Sequence, residues 1–259
     1  MSAKVLVLAG TAEARALCAL IAQDGRVEAI ASLAGATSAP AAYPVRTRIG
    51  GFGGVSGLAD WIAWHGIAAI VDATHPFATT IQAHAEEAAQ RTSTPLLRFD
   101  RPAWIPEPGD RWTPYDGLPA LLDALPTGAR VFAALGSRAG PHLAKRPDVW
   151  FLLRAVEAAP GQAPNTTMVR SLPEGNDAAE RAIMIKHRIT HLVTRNAGGA
   201  AGTGKLRAAR DLGLPVLMLA RPRRRGAAPS VPSPTDALAW LIGIVVAIDA
   251  LSPGRTPGP

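Results

Sequence analysis

Short apolar runs alternate with amphipathic stretches from the start of the 259-residue chain. Val5 to Ala9, Val27 to Ser32, Ala68 to Asp72 and Pro95 to Phe99 each read as a strand buried on both faces. Between them, the stretch from Glu13 to Gln23, Leu58 to His65 and Thr79 to Arg91 carry a helical period. Ala34 to Gly57 shows little periodicity and is rich in Gly, Pro and Ala. Strict strand–helix alternation predicts a parallel sheet covered by helices on both faces.

The alternation breaks at Arg101-Pro102-Ala103-Trp104-Ile105-Pro106-Glu107-Pro108-Gly109-Asp110, where few positions can join a helix or a ladder. It then restarts. Strands are expected at Arg130 to Leu135, Trp150 to Val156, His191 to Thr194 and Pro215 to Leu219. Helices are expected at Leu118 to Leu125, Asp177 to His187, Leu206 to Leu212 and Pro234 to Leu251. Both halves have the same grammar. The pattern therefore predicts two α/β domains, residues 1–113 and 114–259, with a cleft between their carboxyl-end loops. The last helix is apolar for only about fifteen residues, from Ala237 to Leu251. A membrane span needs roughly twenty, so it reads as a buried helix.

Composition narrows the partners. Hydrophobic residues make up 48% and charged residues 18%, enough apolar mass for real cores. The formal charge of +7 suits nucleic acid, an anionic membrane or an acidic small molecule. The basic residues are scattered, apart from Arg221-Pro222-Arg223-Arg224-Arg225. Aromatics are 5% and do not interleave with that cluster, so a stacking platform for single strands is poorly supported. A polyanionic metabolite or phosphorylated cofactor accounts for dispersed arginines better. No nucleic-acid or membrane partner is expected; a monomer and a homodimer are equally open. The one cysteine, Cys18, permits no internal disulfide and no cysteine zinc site, and the six histidines show no metal-site spacing. The chain enters a strand at once and is broken by Gly10, unlike a signal peptide. A cytoplasmic protein without a bound metal is expected.

Four segments could carry chemistry. Asp72-Ala73-Thr74-His75-Pro76-Phe77-Ala78 occupies the turn between a strand and a helix, where open α/β sheets bind ligands. On spacing alone it is either a functional turn or a cap for the following helix. Gly10-Thr11-Ala12-Glu13 occupies the equivalent place after the first strand, where helix N–H groups attract phosphate. Gly50-Gly51-Phe52-Gly53-Gly54 permits close backbone approach to a ligand. Thr194 to Lys205 is a glycine-rich loop entering a helix, but Leu206 after Lys205 breaks the P-loop order. Arg98, Arg101, Arg154 and Arg195 all fall at or just past strand ends.

With these segments assembled, the chain resembles the precorrin-6A reductase family of cobalamin biosynthesis. The matching pieces are Gly10 to Arg15, Gly50 to Gly54, Asp72 to Ala78, Arg98 to Trp104, and Asn196-Ala197-Gly198-Gly199 leading to Lys205 through Leu212. They occur in the family's order from residue 5 to about 222. The late loop departs from the family's Lys-Asn-Ser-Gly-Gly: Ala197 offers no hydroxyl. The resemblance implies two Rossmann-like domains with the active site in the interdomain cleft. It implies NADPH-dependent saturation of one carbon–carbon double bond of precorrin-6A, a macrocycle carrying many carboxylates, to give precorrin-6B. Gly10, Thr11, Ala12, Glu13, Gly50, Gly51, Phe52 and Gly53 are then expected to hold the nucleotide, with Arg46 or Arg48 meeting its 2′-phosphate. Thr74, Arg98, Arg101, Asn196, Gly198, Gly199 and Lys205 are expected at the substrate. His75 is the candidate proton donor or water-orienter, because imidazole titrates near neutrality, with solvent as the alternative source of the proton. The cobalt-loaded form of the same reduction and a non-catalytic tetrapyrrole or nucleotide carrier are the alternatives.

Overall fold

The computed structural model describes residues 2–35, 41–156, 163–171, 176–223 and 226–251. The chain forms two compact units, Met1–Arg101 with Arg223–Pro259, and Pro102–Pro222.

The first unit contains β1 (Ala3–Leu8), α1 (Ala12–Asp24), β2 (Val27–Leu33), β3 (Arg46–Ile49), α2 (Gly54–His65), β4 (Ile67–Asp72), α3 (Thr79–Thr92) and β5 (Leu96–Phe99). The second contains β6 (Trp112–Tyr115), α4 (Leu118–Asp123), β7 (Arg130–Ala134), α5 (Gly140–Leu143), β8 (Trp150–Ala155), β9 (Thr166–Arg170), α6 (Asp177–Lys186), β10 (His191–Arg195), α7 (Gly204–Asp211) and β11 (Val216–Leu219). The chain then returns to the first unit with β12 (Ser230–Val231) and α8 (Pro234–Leu251).

This return corrects the division expected at residue 113. That boundary falls inside β6, an edge strand whose Pro114 hides it from a hydrophobic pattern. The terminal segment leaves the second half because β12 pairs with β5 and α8 buries Ala237 and Leu241 beside α1. Only one face of α8 is buried: Val246 is 61% exposed. Among the described residues, no helix is long and apolar enough to cross a membrane.

Each sheet has six parallel strands, in the orders β12-β5-β4-β1-β2-β3 and β6-β11-β10-β7-β8-β9. Alternate side chains of one strand feed opposite cores. Val5 and Val7 join Leu17, Ile21 and Leu241, whereas Leu6 and Leu8 join Leu58, Ile62 and Ala88. In the second sheet, Val131 and Ala133 meet Leu121 and Leu143, while Phe132 meets Met184 and Leu206. Cys18 is fully buried in α1, and burial pushes its thiol up to about 12, so it behaves as a small apolar residue.

Winding reverses once in each sheet. The first grows from β1 toward β3, then from β4 outward on the other side. The second grows from β7 toward β9, then from β10 in the opposite direction. The reversals lie between β1 and β4 and between β7 and β10. There the loops at the carboxyl ends diverge and open a crevice.

Arg154, one of the strand-end arginines, is not at such a crevice. Its Nη1 donates to Glu180 Oε1 of α6 at 2.6 Å, with the side chains only 7% and 6% exposed, and its guanidinium lies 4.8 Å from the Phe132 ring centroid. Removing one partner strands a buried charge. Glu180→Ala is expected to cost about 3–5 kcal/mol in urea denaturation, with most of that loss recovered in the double variant Arg154→Met/Glu180→Leu. A single-variant cost under about 1 kcal/mol would show that the pair does not brace the second sheet.

Candidate active site

The crevice of the first unit is built from the turns after β1 and β4. Thr11 caps α1 by accepting from Ala14 N–H at 3.0 Å, as its position after Gly10 suggests. The same hydroxyl donates to the Ala73 carbonyl at 2.8 Å, tying the two turns together. Gly10 has a φ of 116°, and its N–H donates to the Tyr43 hydroxyl at 3.1 Å. Tyr43 lies in the weakly periodic stretch, and no sequence signal marks it. Glu13 in the first turn of α1 is paired with Arg101, so its carboxylate does not face an incoming anion uncompensated. The seam among Thr11, Glu13, Ala73, Thr74, Pro76, Phe99 and Arg101 encloses about 10 Å³, room for one water. A larger ligand must therefore lie over these turns.

Asp72, 2% exposed, folds the second turn upon itself. Its Oδ1 accepts from the Thr74 N–H at 3.1 Å and the Thr74 hydroxyl at 2.6 Å. Gln82 of α3 donates to the Thr74 hydroxyl and the His75 carbonyl. His75 Nδ1 accepts from the Phe77 N–H at 3.2 Å, which leaves the neutral ring's proton on Nε2. The capping reading does not describe this turn: α3 starts after Ala78, which makes no side-chain cap. The Asp72–Thr74 bonds shape the turn instead, and Gln82 and Phe77 bind His75, which is half-buried just past the end of β4.

The carboxyl end of β2 holds a third feature. Arg48 of β3 donates to Ser32 Oγ at 2.9 Å, Gly50 O at 2.9 Å and Gly51 O at 3.0 Å. Its guanidinium stands 3.9 Å from the Phe52 ring centroid. These three acceptors are neutral, and burial pulls its ionisation below the usual arginine range. Gly53 at φ 81° turns the chain into α2 without a side-chain cap. Arg46 is exposed two residues earlier on the same strand.

In the second unit the corresponding place lies between the ends of β7 and β10. Arg195 ends β10, and its guanidinium is held down first by burial and second by repulsion from Arg138, on the loop after β7. Gly136 at φ 77° and Gly199 at φ 78° give both loops the same backbone, each followed by a 3₁₀ turn and a helix. Arg138 was not singled out in the sequence; it becomes relevant only because β7 and β10 are neighbours.

The late glycine loop is used differently from the expectation. Asn196, Gly198, Gly199 and Lys205 all face the segment around Trp104. Asn196 accepts from Trp104 N–H at 2.8 Å and donates to Trp104 O at 3.0 Å, and the Trp104 indole donates to Gly199 O at 2.9 Å. Lys205, 6% exposed, donates to Gly202 O at 2.7 Å and lies 4.5 Å from the Trp104 ring centroid. That internal partner explains a cation at the start of α7 without a bound anion. Arg98, also expected at the substrate, is buried and paired with Glu86 of α3. Of the arginine cluster, Arg221 serves the same loop by donating to the Asn196 carbonyl, whereas Arg224 and Arg225 lie outside the described residues.

Residues 4–242 match the family model of the precorrin-6x reductases CbiJ/CobK. The chain is 42% identical over 240 residues to a precorrin-6A reductase of Rhodococcus erythropolis, covering 92% of this chain and 97% of that protein. It is 39% identical over 244 residues to one from Mycobacterium tuberculosis, covering 93% and 98%. A cobalt-precorrin-6A reductase of Priestia megaterium is 27% identical over 242 residues, covering 85% and 91%. The solved structure of a CobK precorrin-6A reductase superposes with a TM-score of 0.88 at 39% identity, covering 93% of this chain and 97% of that one. The two parallel sheets, the two strand-end crevices and this end-to-end similarity together make the chain a member of the CbiJ/CobK precorrin-6x reductase family.

Proposed function

We propose that this chain catalyses the NADPH-dependent reduction of one carbon–carbon double bond of precorrin-6A, giving precorrin-6B in cobalamin biosynthesis. The observation that carries the reading is the 42% identity across 97% of a protein named for that reaction. The metal-free substrate is favoured over the cobalt form because relatives named for the former are 39–42% identical and those named for the latter 27%. The buried Cys18 suits a reducing, cytoplasmic setting.

The residues of the first unit fit a phosphorylated dinucleotide. Gly10, Thr11, Ala12 and Glu13 form the turn and helix start that accept a pyrophosphate. An acid at the end of β2 commonly reads a ribose 2′-hydroxyl, and here that place holds Ser32 with Arg48 bonded to it. Arg48, backed by Gly50, Gly51, Phe52 and Gly53, is the seat for a 2′-phosphate, with Arg46 adding charge nearby. When bound, NADPH supplies the hydride. His75 Nε2–H, with Nδ1 held by the Phe77 N–H, orients the water that relays a solvent proton to the neighbouring carbon. Thr74 and Arg101 flank it. A substrate carboxylate is assigned to Arg138, on the loop after β7 of the second unit, and Arg195, at the end of β10.

The decisive assay mixes purified protein, NADPH and enzymatically prepared precorrin-6A, and follows the nicotinamide absorbance together with product mass. Substrate-dependent NADPH loss with a product two hydrogens heavier is expected; binding without NADPH loss, on metal-free and cobalt-loaded substrate alike, would favour the carrier.

Two variants check the roles. Arg48→Ala is expected to raise the KM for NADPH on the order of 10- to 100-fold while changing that for NADH by less than about threefold; equal changes for both would remove Arg48 from the 2′-phosphate. His75→Ala is expected to lower turnover about a hundredfold with NADPH affinity kept, and undiminished turnover would take His75 out of the proton transfer.

A further inference from the structure

Arg48 is held from the sheet, from the glycine loop and, through Phe52, from α2. Ser32 and Arg48 are partner positions of the parallel strands β2 and β3, and Ser32 Oγ accepts from Arg48 Nη1 at 2.9 Å. Ser32 is itself buried. The carbonyls of Gly50 and Gly51 accept from Nη1 at 2.9 Å and from Nη2 at 3.0 Å. The Phe52 ring covers the guanidinium, 3.9 Å from its centroid. Phe52 is in turn set by α2. Its ring meets that of Trp61 edge-on, with centroids 5.5 Å apart and planes at 71°. Trp61 stacks on His65 at 4.1 Å, and His65 Nδ1 donates to the Trp61 carbonyl at 2.9 Å. A Cβ on Gly57 would collide with the Phe52 carbonyl, so the loop lies directly on the helix.

A guanidinium carries five N–H donors in one plane. Among the described residues, the Ser32, Gly50 and Gly51 bonds account for both donors of Nη1 and one of Nη2. The two that these bonds leave are Nε–H and the second Nη2–H. They run parallel along one edge, the geometry that meets two oxygens of a single phosphate. An ammonium supplies charge but no such edge. A loose arginine must also be ordered when its anion binds, and one already held avoids that cost.

We propose that Trp61 and Ser32 are positioning residues of the nucleotide site: Trp61 through Phe52, and Ser32 directly, hold Arg48 with its Nε–Nη2 edge presented to a 2′-phosphate, and so set the preference for the phosphorylated dinucleotide. This rests on the NADPH reading above. Trp61 touches neither substrate nor cofactor in this role, and Ser32 acts as the acceptor that fixes Nη1. The arrangement explains why one aromatic residue stands among four glycines. Gly50 at φ 119° and Gly53 at φ 81° bend the loop so that two consecutive carbonyls reach the end of the guanidinium while Phe52 covers its face.

The test measures binding, with no turnover involved. Isothermal titration calorimetry on the full chain compares adenosine 2′,5′-bisphosphate with adenosine 5′-monophosphate, two probes that differ only in the 2′-phosphate. The unmutated protein is expected to bind the bisphosphate at least about tenfold more tightly, and Arg48→Met to abolish that preference. Ser32→Ala and Trp61→Leu are each expected to cut the preference about three- to tenfold, with affinity for the monophosphate kept within about twofold. Gly57→Ala suits a helix but pushes Phe52 aside. It is expected to reproduce the Trp61→Leu pattern and replaces that variant if it melts early. In the Arg48→Met background these effects are expected to vanish, because residues acting through one group are non-additive. An unchanged preference in the folded variants, equal losses for both probes, or effects that persist in the Arg48→Met background would each overturn the positioning role. No preference in the unmutated protein, or a preference kept in Arg48→Met, overturns the 2′-phosphate seat and the positioning role with it. The reductase reading is judged separately, by substrate-dependent nicotinamide oxidation in the unmutated protein.

Discussion

Everything functional in this molecule depends on a constraint of parallel sheets: the chain must cross over one face to start each new strand, and it can reverse its direction of winding. Each sheet reverses once, between β1 and β4 and between β7 and β10. At those two places adjacent strands send their following loops to opposite faces, so backbone groups and side chains can meet a ligand without unpairing the sheet. The most informative turns, after Leu8 and Asp72 in the first unit and after Ala134 and Arg195 in the second, stand at these reversals. Thr11 donating to the Ala73 carbonyl and the Ala73 N–H donating to the Leu8 carbonyl hold the first pair of turns in register.

Charge distribution follows from the same frame. The chain carries a net +7, yet many arginines are neutralised locally: Arg98 by Glu86, Arg101 by Glu13, Arg154 by Glu180, Arg207 by Asp177 and Arg210 by Asp110. Arg98 and Arg154 tie helices to strands, whereas the other pairs join helices to one another or to loops. Arg48 differs because the oxygens it meets, Ser32 Oγ, Gly50 O and Gly51 O, are neutral. A partly desolvated cation without a compensating carboxylate is costly, and an incoming phosphate or carboxylate relieves that cost. This contrast, rather than the abundance of arginine, separates candidate anion seats from structural ion pairs.

The hydrophobic pattern found the eight interior strands and missed four: β3, β6, β9 and β12. All four are sheet edges. An interior parallel strand is covered on both faces and must be apolar throughout, as in Val5 to Leu8 or Leu192 and Val193. An edge strand is released from that demand. Arg46-Thr47-Arg48-Ile49 alternates charge with polarity, and Trp112-Thr113-Pro114-Tyr115 contains a proline. The misplaced boundary near residue 113 and the assignment of the last helix to the second half both came from this blindness to edges. A two-residue strand, Ser230–Val231, is enough to return the C-terminal segment to the first sheet, and no periodicity can announce a pairing that short.

The sequence by itself determined the α/β class, the interior strands, the turns that end them and the family resemblance, because these follow from local period, turn chemistry and motif order. Only the tertiary structure decided which motif residues face outward. Asn196, Gly198, Gly199 and Lys205 read as ligand groups along the chain, but Trp104, more than ninety residues earlier, engages Asn196, Gly199 and Lys205, and Pro102 packs close against Gly198. Arg138 carried no signal until the pairing of β7 with β10 set it near Arg195. Hydrogen-bond partners and opposing charges are properties of neighbours in space, and spacing along one chain records only the donors and acceptors available to meet them.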